Sequence, residues 1–436
     1  MKLKRVKFAN GERYSFLECD DGMPHFLSTL WNTVELRPSN LQINSIANHL
    51  QNLKWLFDWE AKNQRNLYAE FHKKNFLEIN DIEKIKKHLS LDINHQKALA
   101  SVKKKVISLN SIPQVIDVTP TVSANVLYNR LSSVSKYLTF ISKVATAQSN
   151  DAATMQAIER MSKQLEGARP KRGKKKKTIG KRTDTGLPKG VLDDFIAVSR
   201  YDSEHNPFSN AGLRLRNDLL FRLLDETGIR PGELLSLRND RINLVGEVKS
   251  ITVARTHDDP HDPRVKQPVA KTLERMIAIK PQTAALLHSY VTEVRKIIQG
   301  ANKHPYLFVS HKGKTAGQPL TQEGFGQVVL EMKKTKPEFA VVFPYYFRHN
   351  FNDVMSEKID KNNELANAGV EGYEHIDSDK EAKMRKQTMG HTSDASAAPY
   401  IQRHVKKKAD ELALKDIKEM DKTLEEVNKA VEIKKG

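Results

Sequence analysis

The 436-residue chain holds a single cysteine, Cys19, which excludes an internal disulfide and a thiolate metal cluster. No apolar run approaches the ~20 residues a membrane span requires, although 39% of the residues are hydrophobic and can fill real cores. The opening Met-Lys-Leu-Lys-Arg-Val-Lys is followed by no apolar stretch of the secretory kind, so a cytoplasmic, nucleoid-associated location is expected. Acidic residues are in deficit: 53 Asp and Glu face 72 Lys and Arg, a formal charge of +19. An excess of that size points to a polyanionic partner, of which nucleic acid is the commonest. The length exceeds one ordinary core, so two or three domains are expected.

Residues 1 to about 30 alternate weakly, and Lys7 to Phe16 resembles two short strands around an Asn10-Gly11 turn. Residues 1–39 are therefore read as a small N-terminal appendage. From Asn40 the period changes. Ile43, Ile46, Leu50, Leu53 and Phe57 are spaced by three and four, predicting an amphipathic helix to about Asn63. Leu127, Leu131, Val134, Leu138 and Ile141 carry the same stripe, with shorter helices expected at Ile82 to Leu89 and Ala98 to Leu109. Residues 40–165 thus form an expected all-helical domain, and Trp31, Trp55, Phe57 and Trp59 sit at the spacing of core residues.

Residues 166–185 are expected to be a linker. Arg169, Lys171, Arg172, Lys174, Lys175, Lys176, Lys177, Lys181 and Arg182 place nine positive charges in fourteen residues without one acid. Self-repulsion forbids packing there, and the run suits a strap along a phosphate backbone whose contribution would depend strongly on salt. A second domain, residues 186–411, mixes helices (Leu213 to Thr227, Thr321 to Lys334, Tyr345 to Lys358) with strands at Glu247 to Arg255, Val269 to Ile279 and Tyr306 to Ser310. Residues 412–436 continue as a helix whose stripe includes Leu414, Ile417 and Leu424. Its apolar face packs either on its own domain or on a neighbouring subunit. The fold class is mainly α with a small antiparallel sheet.

Four stretches carry chemistry. Thr-Gly-Ile-Arg-Pro-Gly-Glu-Leu, from Thr227, puts Arg230 after a tight turn and before a helix opening on proline. Glu233 falls where the helix dipole favours an anion, and it can orient the Arg230 guanidinium as a planar fork for a phosphate. Lys271 lies in or beside the following hairpin, in Val-Ala-Lys-Thr-Leu-Glu-Arg. Tyr345-Tyr346-Phe347-Arg348-His349 opens a helix after Pro344. Met389-Gly390-His391 is followed nine residues later by Tyr400.

Taken together and in this order, these motifs resemble the tyrosine recombinase family, also called the phage integrase family, over residues 186 to 405. The resemblance implies a helical core-binding domain and a mixed α/β catalytic domain closing on duplex DNA as a C-shaped clamp. It also implies a homo-tetramer on two DNA sites. Arg230 and Arg348 can neutralise the non-bridging oxygens of a phosphodiester, Tyr400 can attack it, Lys271 can protonate the leaving 5′ oxygen and His391 can hydrogen-bond the phosphate. The expected activity is site-specific cleavage and rejoining of DNA through a 3′-phosphotyrosine, for a mobile genetic element. No metal, nucleotide or other cofactor is required, because one ester is exchanged for another.

The family usually has histidine three residues before the second arginine, where this chain has Tyr345; a phenol of pKa ~10 is a poor base at neutral pH. Between Arg348 and His391 the polar segment Asp360 to Arg385 is expected to be a loop insertion. The metal-like run His257-Asp258-Asp259-Pro260-His261-Asp262 is read as turn chemistry. A type IB topoisomerase, which relaxes DNA without a specific site, and a DNA-binding relative that has lost catalysis are the competing readings.

Overall fold

The computed structural model describes residues 1–39, 41–92, 120–148, 151–171 and 190–390. The expected helix at Ala98 to Leu109, linker residues Arg172 to Arg182, His391, Tyr400 and the C-terminal helix lie outside the described residues. The chain divides into two compact units, Met1–Ile179 and Gly180–Gly436. Each has its own hydrophobic core.

In the first unit, β1 (Lys2–Lys7) pairs antiparallel with β2 (Arg13–Glu18), Lys7 lying opposite Arg13. Gly11, at φ +93°, makes the turn. Every second residue of β2 faces inward, and Leu17 at its inner end is fully buried in the helical core, with Leu3 packed against it. Residues 1–39 contribute Leu17, Trp31 and Leu36 to this unit's core. A two-stranded hairpin alone is marginal in water, and the helices supply the surface it lacks.

The helices are α1 (Phe26–Trp31), α2 (Ile43–Lys62), α3 (Leu67–His72), α4 (Ile79–Leu89), α5 (Ala124–Ala145) and α6 (Ala152–Gly167). The α2 stripe buries Ile46, Leu50, Leu53, Leu56 and Trp59, and α5 answers with Leu131, Val134, Leu138 and Ile141. Each such side chain contributes about 1.5–3 kcal/mol when fully buried. Trp31 stands edge-on to Tyr137 at 5.5 Å, and Trp55 and Phe57 pack against the same core, so these rings are interior packing. Asp151 starts α6 by accepting from the Thr154 amide at 2.7 Å. Arg169, at its other end, is paired with Glu166 at 2.9 Å, while Lys171 is exposed.

The second unit is assembled around α8 (Ala211–Thr227), preceded by α7 (Val191–Ser199) and followed by the single turn α9 (Pro231–Leu234). Leu219, Leu220, Phe221, Leu223 and Leu224 are all fully buried, the signature of a helix enclosed on most sides. A three-stranded antiparallel sheet, β3 (Ile242–Asn243), β4 (Ser250–Val253) and β5 (Arg275–Ala278), lies in that order. Then come α10 (Pro281–Ser289), α11 (Gln322–Lys333), α12 (Pro344–Asn367) and α13 (Ser378–Met389). Phe221 stacks on Phe347 of α12 at 5.8 Å and meets Phe195 of α7 edge-on at 5.1 Å, so aromatic contacts fix the start of α12 against α8.

Three sequence expectations change. The strand predicted from Val269 begins only at Arg275, because the turn carrying Lys271 leaves the ladder. Tyr306 to Ser310 is extended but joins no sheet; isolated bridges tie Tyr306 to Arg238 and Val309 to Pro319. Its apolar run is buried because other segments cover it, which a sequence cannot distinguish from a central strand. The supposed loop insertion Asp360 to Arg385 is mostly helical, since α12 and α13 leave only residues 368–377 as connection. Asn363 pins that connection, its side chain donating to Ile376 O at 2.9 Å and accepting from Ile376 N at 2.8 Å.

The loop between β4 and β5 is held by buried polar groups. Asp259 accepts from the Tyr306 hydroxyl at 2.8 Å and from Arg238 at 3.0 Å. Asp262 accepts from Arg264 at 2.8 Å, and Arg264 also donates to Leu235 O at 3.0 Å and Leu320 O at 2.7 Å. Asp259 and Asp262 of the metal-like run are therefore engaged by arginine and tyrosine. Among the described residues no group of three or more His, Cys, Asp or Glu side chains is placed to hold a metal ion, and no helix is long and apolar enough to cross a membrane.

Candidate active site

The site is built where α8 ends. Gly228, at φ +60°, closes the helix, its amide donating to Leu224 O at 3.0 Å. A Cβ at this position would lie 2.7 Å from the Phe351 ring, so both the left-handed backbone and the close approach demand glycine. The next turn brings Arg230 to the N-cap of α9, with Pro231 first in the helix.

Glu233 is the buried centre of the cluster, its side chain 1% exposed. One carboxylate oxygen accepts from Arg230 Nη1 at 3.1 Å and from Thr272 Oγ1 at 2.9 Å. The other accepts from the Arg230 amide at 3.1 Å and from Arg275 Nη2 at 2.9 Å. Burial pushes the Glu233 carboxyl up, but the Arg275 guanidinium and the donated hydrogen bonds outweigh it, and the net shift is downward. Glu233 is thus a fixed anion with its acceptor positions filled. Arg230 keeps 29% of its side chain exposed while one of its nitrogens is anchored.

Arg348, on the first turns of α12, is 1% exposed. It donates to Gly228 O at 2.8 Å and to Met389 O at 3.3 Å, joining the turn before Arg230 to the end of α13. Arg275 Nε donates to Thr388 O at 2.9 Å, and the Leu273 amide donates to Gly390 O at 3.1 Å. Three successive carbonyls at the end of α13 are therefore held by two segments, Leu273 to Arg275 and the first turns of α12. Such terminal carbonyls have no partner within their own helix, and two of them here face guanidinium groups that complement the negative end of the dipole. Gly390, at φ +64°, is close-fitted: a Cβ there would lie 2.8 Å from Thr272 Cβ and 2.7 Å from Arg275 Nη1. Arg385, fully buried, braces α13 on α12 through Asn352 Oδ1 at 2.9 Å.

Of the residues singled out in the sequence, Arg230, Glu233 and Arg348 are brought together with Gly390, the residue immediately before His391. Lys271 is exposed on the turn beside Thr272, and so adjoins the Glu233 cluster through its neighbour. Tyr345 is exposed on the first turn of α12, its ring edge-on to His349 at 4.7 Å. Sequence reasoning missed Thr272 and Arg275. Both stand in the Val-Ala-Lys-Thr-Leu-Glu-Arg stretch, and the available signal was an arginine four residues beyond the lysine on the strand that Glu233 faces.

Residues 201–363 match the phage integrase family. Arg230, Lys271 and Arg348 fall inside the matched residues, and Gly390 lies beyond them. The chain is 26% identical over 167 residues to the tyrosine recombinase XerD of Halalkalibacterium halodurans, covering 38% of this chain and 47% of that protein. It is likewise 26% identical over 169 residues to the tyrosine recombinase XerD of Listeria monocytogenes, covering 38% and 48%. The chain spans about half the length of the curated relatives it matches. Among solved structures it is similar to the Tn1549 transposon integrase in complex with transposon right end DNA, at TM-score 0.44 and 14% identity over 89% of this chain and 99% of that one. It is also similar to the XerH site-specific recombinase bound to palindromic difH substrate, at TM-score 0.41 and 17% identity over 89% and 93%. Arg230, Glu233, Arg275 and Arg348 all lie within the matched residues.

Proposed function

We propose that this protein is a site-specific DNA recombinase of a mobile genetic element, cleaving and rejoining strands through a covalent 3′-phosphotyrosine. What supports the reading is that Arg275 and Arg348 donate to the Thr388 and Met389 carbonyls, just before His391, while Glu233 joins Arg275 to Arg230. Arg230 and Arg348 neutralise the non-bridging oxygens of the scissile phosphate. Their fixed dipoles are worth most where charge builds up in the transition state. The Tyr400 oxygen attacks phosphorus while its proton passes to His349 or water, the bond to the 5′ oxygen breaks, and Lys271 supplies that oxygen's proton. His391 hydrogen-bonds the phosphate, Tyr345 stands where the family has a histidine, and Glu233 orients Arg230. The step conserves ester bonds, so neither metal nor nucleotide hydrolysis enters.

Duplex DNA is the partner, held as a homo-tetramer on two sites, with the basic run from Arg169 to Arg182 following the phosphate backbone and nucleoid association as the consequence. The test is covalent trapping. The genomic fragment protected by the purified protein is rebuilt as a nicked suicide duplex; a covalent adduct is expected, and its absence, or its survival in Tyr400→Phe, overturns the proposal. Relaxation of plasmids that lack that fragment identifies a topoisomerase instead.

A further inference from the structure

The cluster has a member that the proposed chemistry does not use. Arg275 never needs to touch DNA, yet its side chain is only 7% exposed and it spends all three guanidinium nitrogens on protein. Nη2 goes to Glu233 at 2.9 Å, Nη1 to Thr272 Oγ1 at 2.8 Å and Nε to Thr388 O at 2.9 Å. Thr272 closes the circuit by donating its hydroxyl to Glu233 at 2.9 Å while accepting from Arg275, which uses both faces of one hydroxyl. The same carboxylate that orients Arg230 is thereby connected, through one planar fork, to the end of α13.

We propose that Arg275 is a positioning residue that makes the orientation of Arg230 conditional on the seating of the Thr388 to Gly390 segment. Arginine is required because its rigid fork spans three acceptors; an ammonium is a point charge that can serve Glu233 without holding Thr388. When the end of α13 lifts, Arg275 loses one of its three partners and Gly390 leaves the notch between Thr272 and Arg275. Glu233 then shares a mobile Arg275 with Arg230, and the phosphate fork loses its fixed direction. Cleavage is thus restrained until the chain bearing the nucleophile is in place. The inference rests on the function proposed above for its consequence, and on the described hydrogen bonds alone for the tether.

A built-in reporter separates the two. Leu273 has an exposed side chain, and its amide donates to Gly390 O at 3.1 Å, so its hydrogen exchange is slowed only while that segment is seated. In the full wild-type chain the Leu273 amide is expected to be protected from exchange although its side chain is exposed; an unprotected Leu273 amide overturns the tether. In Arg275→Lys the Leu273 amide should exchange about tenfold faster, the equivalent of one hydrogen bond to a charged group. With the suicide duplex described above, DNA retention should be unchanged and adduct formation slower by on the order of 10²-fold. Unchanged Leu273 exchange overturns the tether, and faster exchange with wild-type adduct formation overturns the positioning role. If the wild-type protein itself forms no adduct, the recombinase reading fails while the exchange comparison still decides the tether.

Discussion

Replacing Glu233 by Gln keeps the shape of the side chain and deletes its charge. Four donors converge on the carboxylate: the Arg230 amide, Arg230 Nη1, Thr272 Oγ1 and Arg275 Nη2. A Gln can accept with one oxygen and must turn its amide donors toward at least one guanidinium. Deleting one partner of a buried ion pair costs about 3–5 kcal/mol, because the remaining charge is left uncompensated. Arg275 is the buried partner; Arg230 is partly exposed and adds little. For a unit of this size, 1 kcal/mol corresponds to about 2–4 °C in Tm, so a fall of about 6–20 °C is expected.

The assay has an internal control, since all three tryptophans, Trp31, Trp55 and Trp59, belong to the first unit. Glu233→Gln should leave the tryptophan fluorescence transition in place and lower the far-UV circular dichroism transition of the second unit. The pH dependence provides a second check. A carboxyl whose folded pKa is depressed contributes stability that is full above its ordinary value of 4.5 and is lost as pH falls through the lower folded value. The difference between wild type and variant should therefore shrink on acidification below 4.5. A loss below about 1 kcal/mol, the range of an exposed ion pair, or a gap that stays constant to low pH, refutes the picture of a buried, arginine-locked anion.

Other perturbations test neighbouring parts. Gly228→Ala must adopt φ +60° against the Phe351 ring, and should cost at least about 1–2 kcal/mol in urea unfolding of the second unit. Gly390→Ala meets Thr272 Cβ and should accelerate exchange of the Leu273 amide while leaving the tryptophan transition unchanged. Arg230→Ala should retain DNA binding in a filter assay yet lose on the order of 10²-fold or more in adduct formation; equal loss of both reduces Arg230 to a docking group. In the first unit, burial raises the Glu60 carboxyl to about 7, and it accepts from the Leu67 amide at 2.9 Å. Unfolded Glu60 ionises first, so the tryptophan-monitored stability should decline between pH 4.5 and about 7, and Glu60→Gln should flatten that decline.

Much of this molecule was legible in its residues. The stripes of α2 and α5 were read within a few positions because period and burial coincide there. The Thr-Gly turn was legible because Gly228 is required by backbone conformation, and Glu233 because three residues of helix bring it back onto Arg230. Elsewhere the sequence was silent for a physical reason. Leu307 and Phe308 are buried in the core among helices without joining a sheet, and such burial leaves the same apolar run as burial in a sheet. Residues 360–385 are mostly polar, so no stripe announced the C-terminal part of α12 or α13; Arg385, charged and fully buried, conceals the packing it provides. Arg275 escaped notice because its partner Thr388 lies 113 residues away in the chain and is recognised by a backbone carbonyl, which no side-chain pattern records.

The loop between β4 and β5 also constrains how this protein can diverge. Asp259 is shared by Arg238 and Tyr306, while Arg264 is shared by Asp262, Leu235 and Leu320. Altering any one of Asp259, Asp262 or Arg264 leaves a buried charge or a buried carbonyl without its complement, so accepted changes should arrive in pairs. Within a lineage these positions are expected to covary, and the exposed neighbours Pro260 and His261 to drift freely. A segment without regular secondary structure would then be inherited more rigidly than the strands on either side of it.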